Sequence, residues 1–487
     1  MSNINKINVK HTDVLMINPP RFKGIPVIRE ERCEIIEGSS ILTPYSLLQA
    51  AALIEKKVKN LKLIDANALN LEFKELEKIM KNINYNILIF KFTPTSFDED
   101  VKVAKISKKV KPEAITIGIC YSLSHIAKDV MKEVKELDIY IRHEYEVVTP
   151  DVIDNIDSLS RVNGIAYRNK NKIIVNKDAT PISDYDSLPI AAFHLLPSLD
   201  PYYISVNHGK PFTIIYTSKG CPYTCMFCNV SQSKLKLKSV DRIMKEIAYL
   251  KKNYNIKTIS FFDETFTLDK KRVKEFCKRI KKYKIKWYCN TRVNLVNLPL
   301  LKMMRKAGCR AISYGVESGS QKVLDTISKR TTVEESANAI KWTYQVGIKM
   351  HCSFIFGLPG ETEETIRETM QFIRKTLPMS VEFNIATPYP GTRLHKYCIE
   401  KGYIKKNLNW HKLYQDLAQF RFRELSNEYL ESVRRKGYIL IYTNPRWFLK
   451  NFIYTIKNPD DFILAFRYFI KTNKEILSNF TVVRHEK

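Results

Sequence analysis

The sequence is short of negative charge. Against 80 lysines and arginines stand 51 aspartates and glutamates, a formal net charge of +29. An excess of that size favours an anionic partner: nucleic acid, a phospholipid surface, or an anionic substrate or cofactor. It also fits a solvated, lysine-rich surface. No run of 18 or more apolar residues occurs, which argues against a spanning helix. The first residues, MSNINKINVKHTD, lack the apolar core of a signal peptide, so a cytoplasmic location is expected. Thiols stay reduced there, and clustered cysteines then point to metal or catalysis rather than to disulfides. No G-x-G-x-x-G follows the first strand, which argues against a standard dinucleotide site. No recognised nucleic-acid motif is present either, so no nucleic-acid partner is expected despite the charge. Nothing in the sequence sets the oligomeric state.

What is there is a chain of 487 residues, enough for two or three domains. DVLMINPP (Asp13 to Pro20) reads as an apolar strand ending in a Pro-Pro loop. TPYSLLQAAALIEKKV (Thr43 to Val58) reads as a helix, with Thr43 as N-cap and Pro44 at the first helical position. LKLIDAN (61–67), NILIFKFTPTS (86–96) and AITIGICYS (114–122) follow as strands, with a helix over 98–111. Alternation of this kind implies a parallel, doubly wound sheet with ligands at the carboxyl ends of its strands. A hairpin and a Pro-containing linker come next (162–190), with a boundary near Pro197. The second region repeats strand then helix six times, its strands being FTIIYTS (212–218), TISFFDE (258–264), KWYCNTR (286–292), AISYGVES (311–318), MHCSFIFG (350–357) and VEFNIAT (381–387). That is an open or partial barrel, where chemistry gathers as strands end and loops begin. The last region is helical, aromatic and basic. PRWFLKNFIYTIKNPDDFILAFRYFIKTNKEIL (445–477) fits either a helix on a membrane surface or one packed across the barrel. The expected fold class is α/β: a Rossmann-like doubly wound domain (1–150), a hairpin and linker (151–197), a partial (β/α)6 barrel (198–404) and a helical basic region (405–487).

Just past the first barrel strand lies KGCPYTCMFCNV, with Cys221, Cys225 and Cys228 in C-x3-C-x2-C spacing. A structural zinc site wants four ligands, usually in two separated pairs. The nearest further cysteine, Cys277, lies in a helical segment, and His208 lies upstream in a polar loop. The other seven cysteines sit in apolar or mixed segments and read as buried small hydrophobes. An iron–sulfur cluster suits closely spaced thiolates, but an electron-transfer cluster normally takes four. Three would leave one iron open to a substrate or cofactor.

These cysteines, with Phe227 before the last of them, resemble the signature of radical S-adenosylmethionine enzymes. FFDETFTLD (261–269), YGVESGS (314–320), FGLPGET (356–362) and TPYPGT (387–392) extend the resemblance from Phe212 to about Tyr403. It implies that Cys221, Cys225 and Cys228 hold a [4Fe–4S] cluster whose open iron chelates S-adenosylmethionine. One electron, from an external donor such as ferredoxin or flavodoxin, would then give a 5′-deoxyadenosyl radical that abstracts hydrogen from an unactivated carbon. By the same resemblance Asp263 and Glu264 contact the methionine amino group, and Arg292 pairs with its carboxylate. Glu317 contacts the ribose or methionine, while Phe227, Gly357 and Pro390 flank the adenine.

VLMINPP, LTPYSLLQAAALIEKK, LKLIDAN and GIAYRNKNKIIVN are similar to the cobalamin-binding domain and linker of the cobalamin-dependent class of these enzymes. That likeness implies cobalamin near Thr95, Gly118 and Tyr121. Two elements depart from the class pattern: GICYSL (118–123) and RHEYE (142–146). The D-x-H-x-x-G cobalt-ligand motif is absent, and His125 and His143 read as surface or core histidines. The implied reaction is carbon–carbon bond formation, by methylation or ring closure. The basic surface and C-terminal helices suggest a lipid or isoprenoid substrate on an anionic membrane, in the style of archaeal tetraether-lipid ring-forming enzymes. A C-methyltransferase acting on a peptide or natural product is the alternative. tRNA methylthiolation fits poorly, since the N-terminal region holds only Cys33 and Cys120 and the C-terminus reads helical.

Overall fold

Two parallel sheets organise the chain. The computed structural model describes residues 9–30, 33–35, 40–204, 209–404, 413, 418 and 425–458. In the first sheet β1 (Asp13–Asn18), β2 (Asn60–Asp65), β3 (Ile87–Lys91), β4 (Ile115–Ile119) and β5 (Ile139–Ile141) run parallel in the order β2-β1-β3-β4-β5. β1, β3 and β4 are buried at every position, as central parallel strands with two covered faces must be. The hairpin expected in the connector is β6 (Ile165–Asn169) and β7 (Lys172–Val175), and it pairs antiparallel onto β5, so it widens this sheet. Helix α1 (Tyr45–Ile54) and helix α2 (Tyr145–Asp154) pack together under Ile54, Val148 and Val152. Thr43 does not cap α1. Pro44 takes the N-cap position, and the Thr43 hydroxyl instead lies 2.9 Å from that of Thr213 in the second sheet. The helix read over 98–111 is two pieces, Phe97–Asp100 and Lys102–Val110.

The second sheet holds β8 (Phe212–Ile215), β9 (Thr258–Phe261), β10 (Lys286–Thr291), β11 (Cys309–Glu317), β12 (Lys349–Phe356) and β13 (Ser380–Ile385), all parallel and in sequence order. The helices between them are α3 (Val240–Tyr254), α4 (Lys270–Ile280), α5 (Leu298–Lys306), α6 (Val333–Gln345) and α7 (Glu363–Thr376). Each starts where a side chain satisfies a helix N–H that would otherwise be orphaned. Ser239, Asp269, Asn297, Thr332 and Thr362 accept from the third residue of their helices. Phe261, Phe266, Phe276 and Trp287 meet at ring-centroid distances of 5.0–5.6 Å and fix α4 against β9 and β10. Six cysteines read as core residues, Cys120, Cys277, Cys289, Cys309, Cys352 and Cys398, are indeed buried, while the side chain of Cys33 lies outside the described residues.

The open sheet has two edges, and each is covered. Thr43 reaches β8, where its hydroxyl accepts from the Ile214 N–H. Helix α9 (Asn427–Tyr442), which follows the short helix α8 (Arg393–Glu400), lies along β13. There the Tyr438 hydroxyl accepts from the Phe383 N–H and Arg434 Nε donates to its carbonyl. Side chains thus replace the missing strand partner. Gly437 lets this happen, since a Cβ there would lie 2.8 Å from the Phe383 ring. Helix α10 (Pro445–Lys457) packs beside it. Residues 459–487 and most of 405–424, the rest of the expected C-terminal region, lie outside the described residues. Among the described residues no helix is long and apolar enough to cross a membrane.

Gly437→Val is expected to force α9 off Phe383, destabilising the chain by about 1–3 kcal/mol as overpacking does. Thermal denaturation beside the wild type checks this, and an unchanged melting temperature would refute the role given to Gly437.

Candidate active site

The cysteine loop leaves β8 and is closed at its base by a short antiparallel pair, Ser218–Lys219 against Lys236–Leu237. Gly220 allows the turn into the loop: its φ is +90°, and a Cβ would lie 2.2 Å from the Lys234 carbonyl oxygen. Inside, the Cys221 N–H donates to Ser233 Oγ at 3.0 Å. The Met226 N–H donates to the Ile327 carbonyl, and Arg393 donates to that of Thr224. Both feet of the loop are held by the N-terminal domain. Lys219 Nζ lies 3.0 Å from Glu146 Oε1 and 4.2 Å from the centroid of the Tyr145 ring. Lys236 Nζ lies 2.6 Å from Glu144 Oε2. Lys219, Lys236 and Glu146 are buried in these pairs. The sequence element RHEYE, which departs from the class pattern, is therefore a clasp on the cysteine loop.

The three cysteines face a cavity of about 1470 Å³, its open mouth included, at the carboxyl ends of the barrel strands. Burial pushes the Cys221 thiol up, and pushes that of Cys228 up to about 12. Ligand thiolates must therefore form as metal binds, releasing protons. Among the described residues no three His, Cys, Asp or Glu side chains converge tightly enough for a single ion. Three thiols lining one cavity suit a cluster, in which each would hold a different iron.

Phe227, Glu264, Arg292 and Glu317 line this cavity as expected. Arg292 is stacked with its guanidinium carbon 3.8 Å from the Tyr223 ring centroid; Nη1 donates to Cys225 Sγ at 3.3 Å and Nη2 to the Lys329 carbonyl. Its Nε is buried without a hydrogen-bond partner among the described residues. Glu317 accepts from Lys329 Nζ at 2.5 Å. Its φ of +69° is rare for glutamate and follows a register shift between Gly315 and Glu317. Gly315 leaves room beside it: a Cβ there would lie 2.4 Å from Glu317 Oε1, so the carboxylate would have to move.

Three of the expected residues lie outside the cavity lining. Asp263 is fully buried and outside the cavity lining. Its carboxylate accepts from the N–H and hydroxyl groups of both Thr217 and Ser218, so it braces the strand end leading into the cysteine loop. Arg272 adds to the brace through the Thr217 carbonyl at 2.8 Å. Gly357 and Pro390 also stand behind the lining. Gly357, at φ +81°, donates its N–H to Glu361. Glu361 went unnoticed in the sequence, though its place in FGLPGET was a signal. Its burial pushes its carboxyl up to about 8. Asn290, Ser313, Ser353, Glu382 and Asn384 are among the other polar residues that line it. Their signal was present too: Ser313, Gly315 and Glu317, and Glu382 and Asn384, fall on alternate strand positions that share one face.

Ser122, after β4, lines both this cavity and a smaller one between the domains, of about 400 Å³ with its mouth. Tyr121 and His143 line the smaller one, and the Tyr121 hydroxyl reaches the Asn229 carbonyl at 3.5 Å. Gly118 does not reach it: its α-carbon is covered by the Phe92 ring, 2.7 Å from where a Cβ would be. Thr95 is turned into a hydroxyl network with Thr93. His143 pairs with Asp178 at 3.1 Å, and His125 packs on Gly391.

Glu146→Ala would strip the buried Lys219 of its carboxylate partner, an expected loss of about 3–5 kcal/mol. It is also expected to lower iron content after anaerobic reconstitution; full iron loading at wild-type melting temperature would dismiss the clasp. For Glu361 the sign follows from a folded-state pKa above the ordinary 4.5. Between pH 4.5 and about 8 the folded chain keeps a proton that the unfolded chain has released, so stability falls as pH rises through that window. Glu361→Gln removes this contribution. Its melting temperature relative to wild type should rise from pH 5 to pH 8, both roughly the edges of the window; a constant difference would contradict the burial argument.

The profile of the radical SAM superfamily matches residues 215–373. An uncharacterized methyltransferase of Pyrococcus horikoshii is 31% identical over 416 residues, covering 84% of this chain and 89% of that protein. The anaerobic magnesium-protoporphyrin IX monomethyl ester cyclase of Rubrivivax gelatinosus is 31% identical over 317 residues, 62% of this chain and 56% of the cyclase. Among solved structures, the radical S-adenosylmethionine methyltransferase TsrM of Kitasatospora setae, with cobalamin and a [4Fe-4S] cluster bound, superposes with a TM-score of 0.64 at 14% identity, covering 80% of this chain and 78% of that one. With its cysteine loop, its six-stranded open barrel and a relative alike over nearly its whole length, the chain belongs to the radical SAM superfamily of enzymes.

Proposed function

We propose that this protein transfers a methyl group to an unactivated carbon, with a [4Fe–4S] cluster, S-adenosylmethionine and cobalamin as cofactors. One observation carries the reading: Ser122, at the carboxyl edge of the first sheet, and the three cysteines at that of the second line one cavity. Parallel sheets bind ligands at these edges. Cys221, Cys225 and Cys228 would hold the cluster; Phe227, Glu264, Arg292 and Glu317 would wall the space for S-adenosylmethionine. When bound, these cofactors supply a carbon-centred radical and a methyl group. Tyr121, Ser122 and His143 line the smaller cavity, which adjoins the larger one at Ser122, and they would line the space for cobalamin. Support also comes from the relatives: the protein of Pyrococcus horikoshii bears the name of a methyltransferase, as does TsrM.

The polar groups do the rest. Asp263, braced on Thr217 and Ser218, and the Glu361 latch on Gly357 set the loops that frame the cavity. Asn290, Ser313, Ser353, Glu382 and Asn384 offer hydrogen bonds to a substrate in the barrel. A lipid or isoprenoid substrate, which the basic C-terminal region favours, would present an oxygenated or otherwise polar end to them. Ring closure is the second reading, favoured by the likeness to the cyclase of Rubrivivax gelatinosus. An external one-electron donor such as ferredoxin or flavodoxin completes the system.

Anaerobic reconstitution with iron and sulfide, then reduction with S-adenosylmethionine with and without methylcobalamin, tests the proposal by mass spectrometry. The expected result is 5′-deoxyadenosine and cobalamin retained by the protein, with Cys225→Ala losing both iron and product. Product without cobalamin retention would overturn the methyl-transfer reading, and no product from a fully loaded protein would overturn the radical reading.

A further inference from the structure

Helix α10 is built inside out. Its inward face carries Trp447, Lys450, Tyr454 and Asn458 and is tied by hydrogen bonds to segments at the amino ends of the barrel strands. Lys450 Nζ donates to the carbonyls of Thr376 and Leu377, at 2.9 and 2.8 Å. Trp447 Nε1 donates to that of Pro378, and Asn458 accepts from Arg305 at 2.6 Å. The apolar residues point the other way. Leu449 is 60% exposed, Phe452 61% and Ile456 63%, with Ile453 exposed beside them. These positions follow i, i+3, i+4, i+7 and so form one stripe. An ordinary surface helix buries such a stripe against the core. Here the core side is taken by Trp447, Lys450, Tyr454 and Asn458, so the stripe is presented outward.

Along the two helices from Val433 to Asn458 the charge has one sign. From Val433 to Asn458 the sequence holds six basic residues and no acidic one. Arg434 and Lys450 bond inward. Arg435, Lys436, Arg446 and Lys457 are exposed, as is Ile439 on α9. An apolar stripe flanked only by cations matches an anionic bilayer, whose phosphates meet the cations while the stripe enters the acyl boundary. It matches a second copy of this chain poorly, since that copy would bring the same charges.

We propose that the outward face of α10, flanked by Arg435 and Lys436 of α9, docks this protein on an anionic phospholipid surface. The contact is peripheral and independent of the methyl-transfer reading. It sets the barrel with the amino ends of its strands toward the lipid and the cysteine loop away from it.

The test is co-sedimentation of the full chain with vesicles of phosphatidylcholine alone and with added phosphatidylglycerol. Binding is expected only with the anionic lipid and is weakened by salt. The double substitution Leu449→Asp/Phe452→Asp should weaken it by about tenfold or more, and Arg435→Gln/Lys436→Gln should weaken it in the same direction. Iron content and circular dichroism should stay at wild-type values. Ile456→Ser, a milder change on the stripe, gives the same direction if the double variant misfolds. No sedimentation with either vesicle, or binding that survives all stripe variants, overturns the proposal. So does covalent footprinting in which Leu449 and Phe452 are shielded without lipid. Shielding that grows with protein concentration would assign the face to a second copy, and shielding independent of concentration would assign it to residues 459–487.

Discussion

Two buried lysines decide where the cysteine loop sits. Lys219 and Lys236 stand at its feet, and each is neutralised by a glutamate of the other domain. A buried ammonium is costly unless it is paired, and these partners come only when the domains meet. Glu144 and Glu146 flank the start of α2, where negative charge is favoured by the helix dipole. The pairs thus convert domain packing into loop position. The loop, the seam and the two sheet edges form one unit.

The same economy of buried polar groups shapes the cavity. Asp263 is satisfied by four donors from two consecutive residues, which leaves that strand end little freedom. Glu317 accepts an uncommon backbone conformation, and Gly315 clears the space its carboxylate needs. Arg292 lies between an aromatic ring and a cysteine sulfur. None of these groups is placed by its own strand alone, and each depends on a neighbour on another element. Such mutual support holds a polar site in shape before any ligand arrives.

The strands were legible because burial leaves apolar residues in unbroken or alternating runs. FTIIYTS contains an observed strand, and MHCSFIFG and VEFNIAT each overlap one. The cysteine loop was legible because its chemistry is local, three thiols within eight residues. What could not be read was anything that depends on a distant partner. RHEYE looked like a degenerate loop because its lysines lie 73 and 92 positions away. Thr43 looked like a helix cap because its real partner, Thr213, is 170 positions on. Asp263 was given a ligand because a carboxylate at a strand end reads the same whether it faces a cavity or a backbone. Glu361 and Glu382 were missed for the opposite reason: each was one polar residue in a segment read only for its shape.

The covering of the two barrel edges has a meaning for how such a protein is assembled. A closed barrel carries its own boundary and can be moved between chains as a finished part. This one is left unfinished on both sides, with Thr43 completing one edge and α9 the other. The catalytic core therefore cannot be treated as a cassette. Any rearrangement that trades the N-terminal domain or the C-terminal helices for others must supply new groups for the same exposed backbone, or inherit a sticky sheet. Partners of this core are constrained first by what they offer to two strand edges, and only then by what they bind.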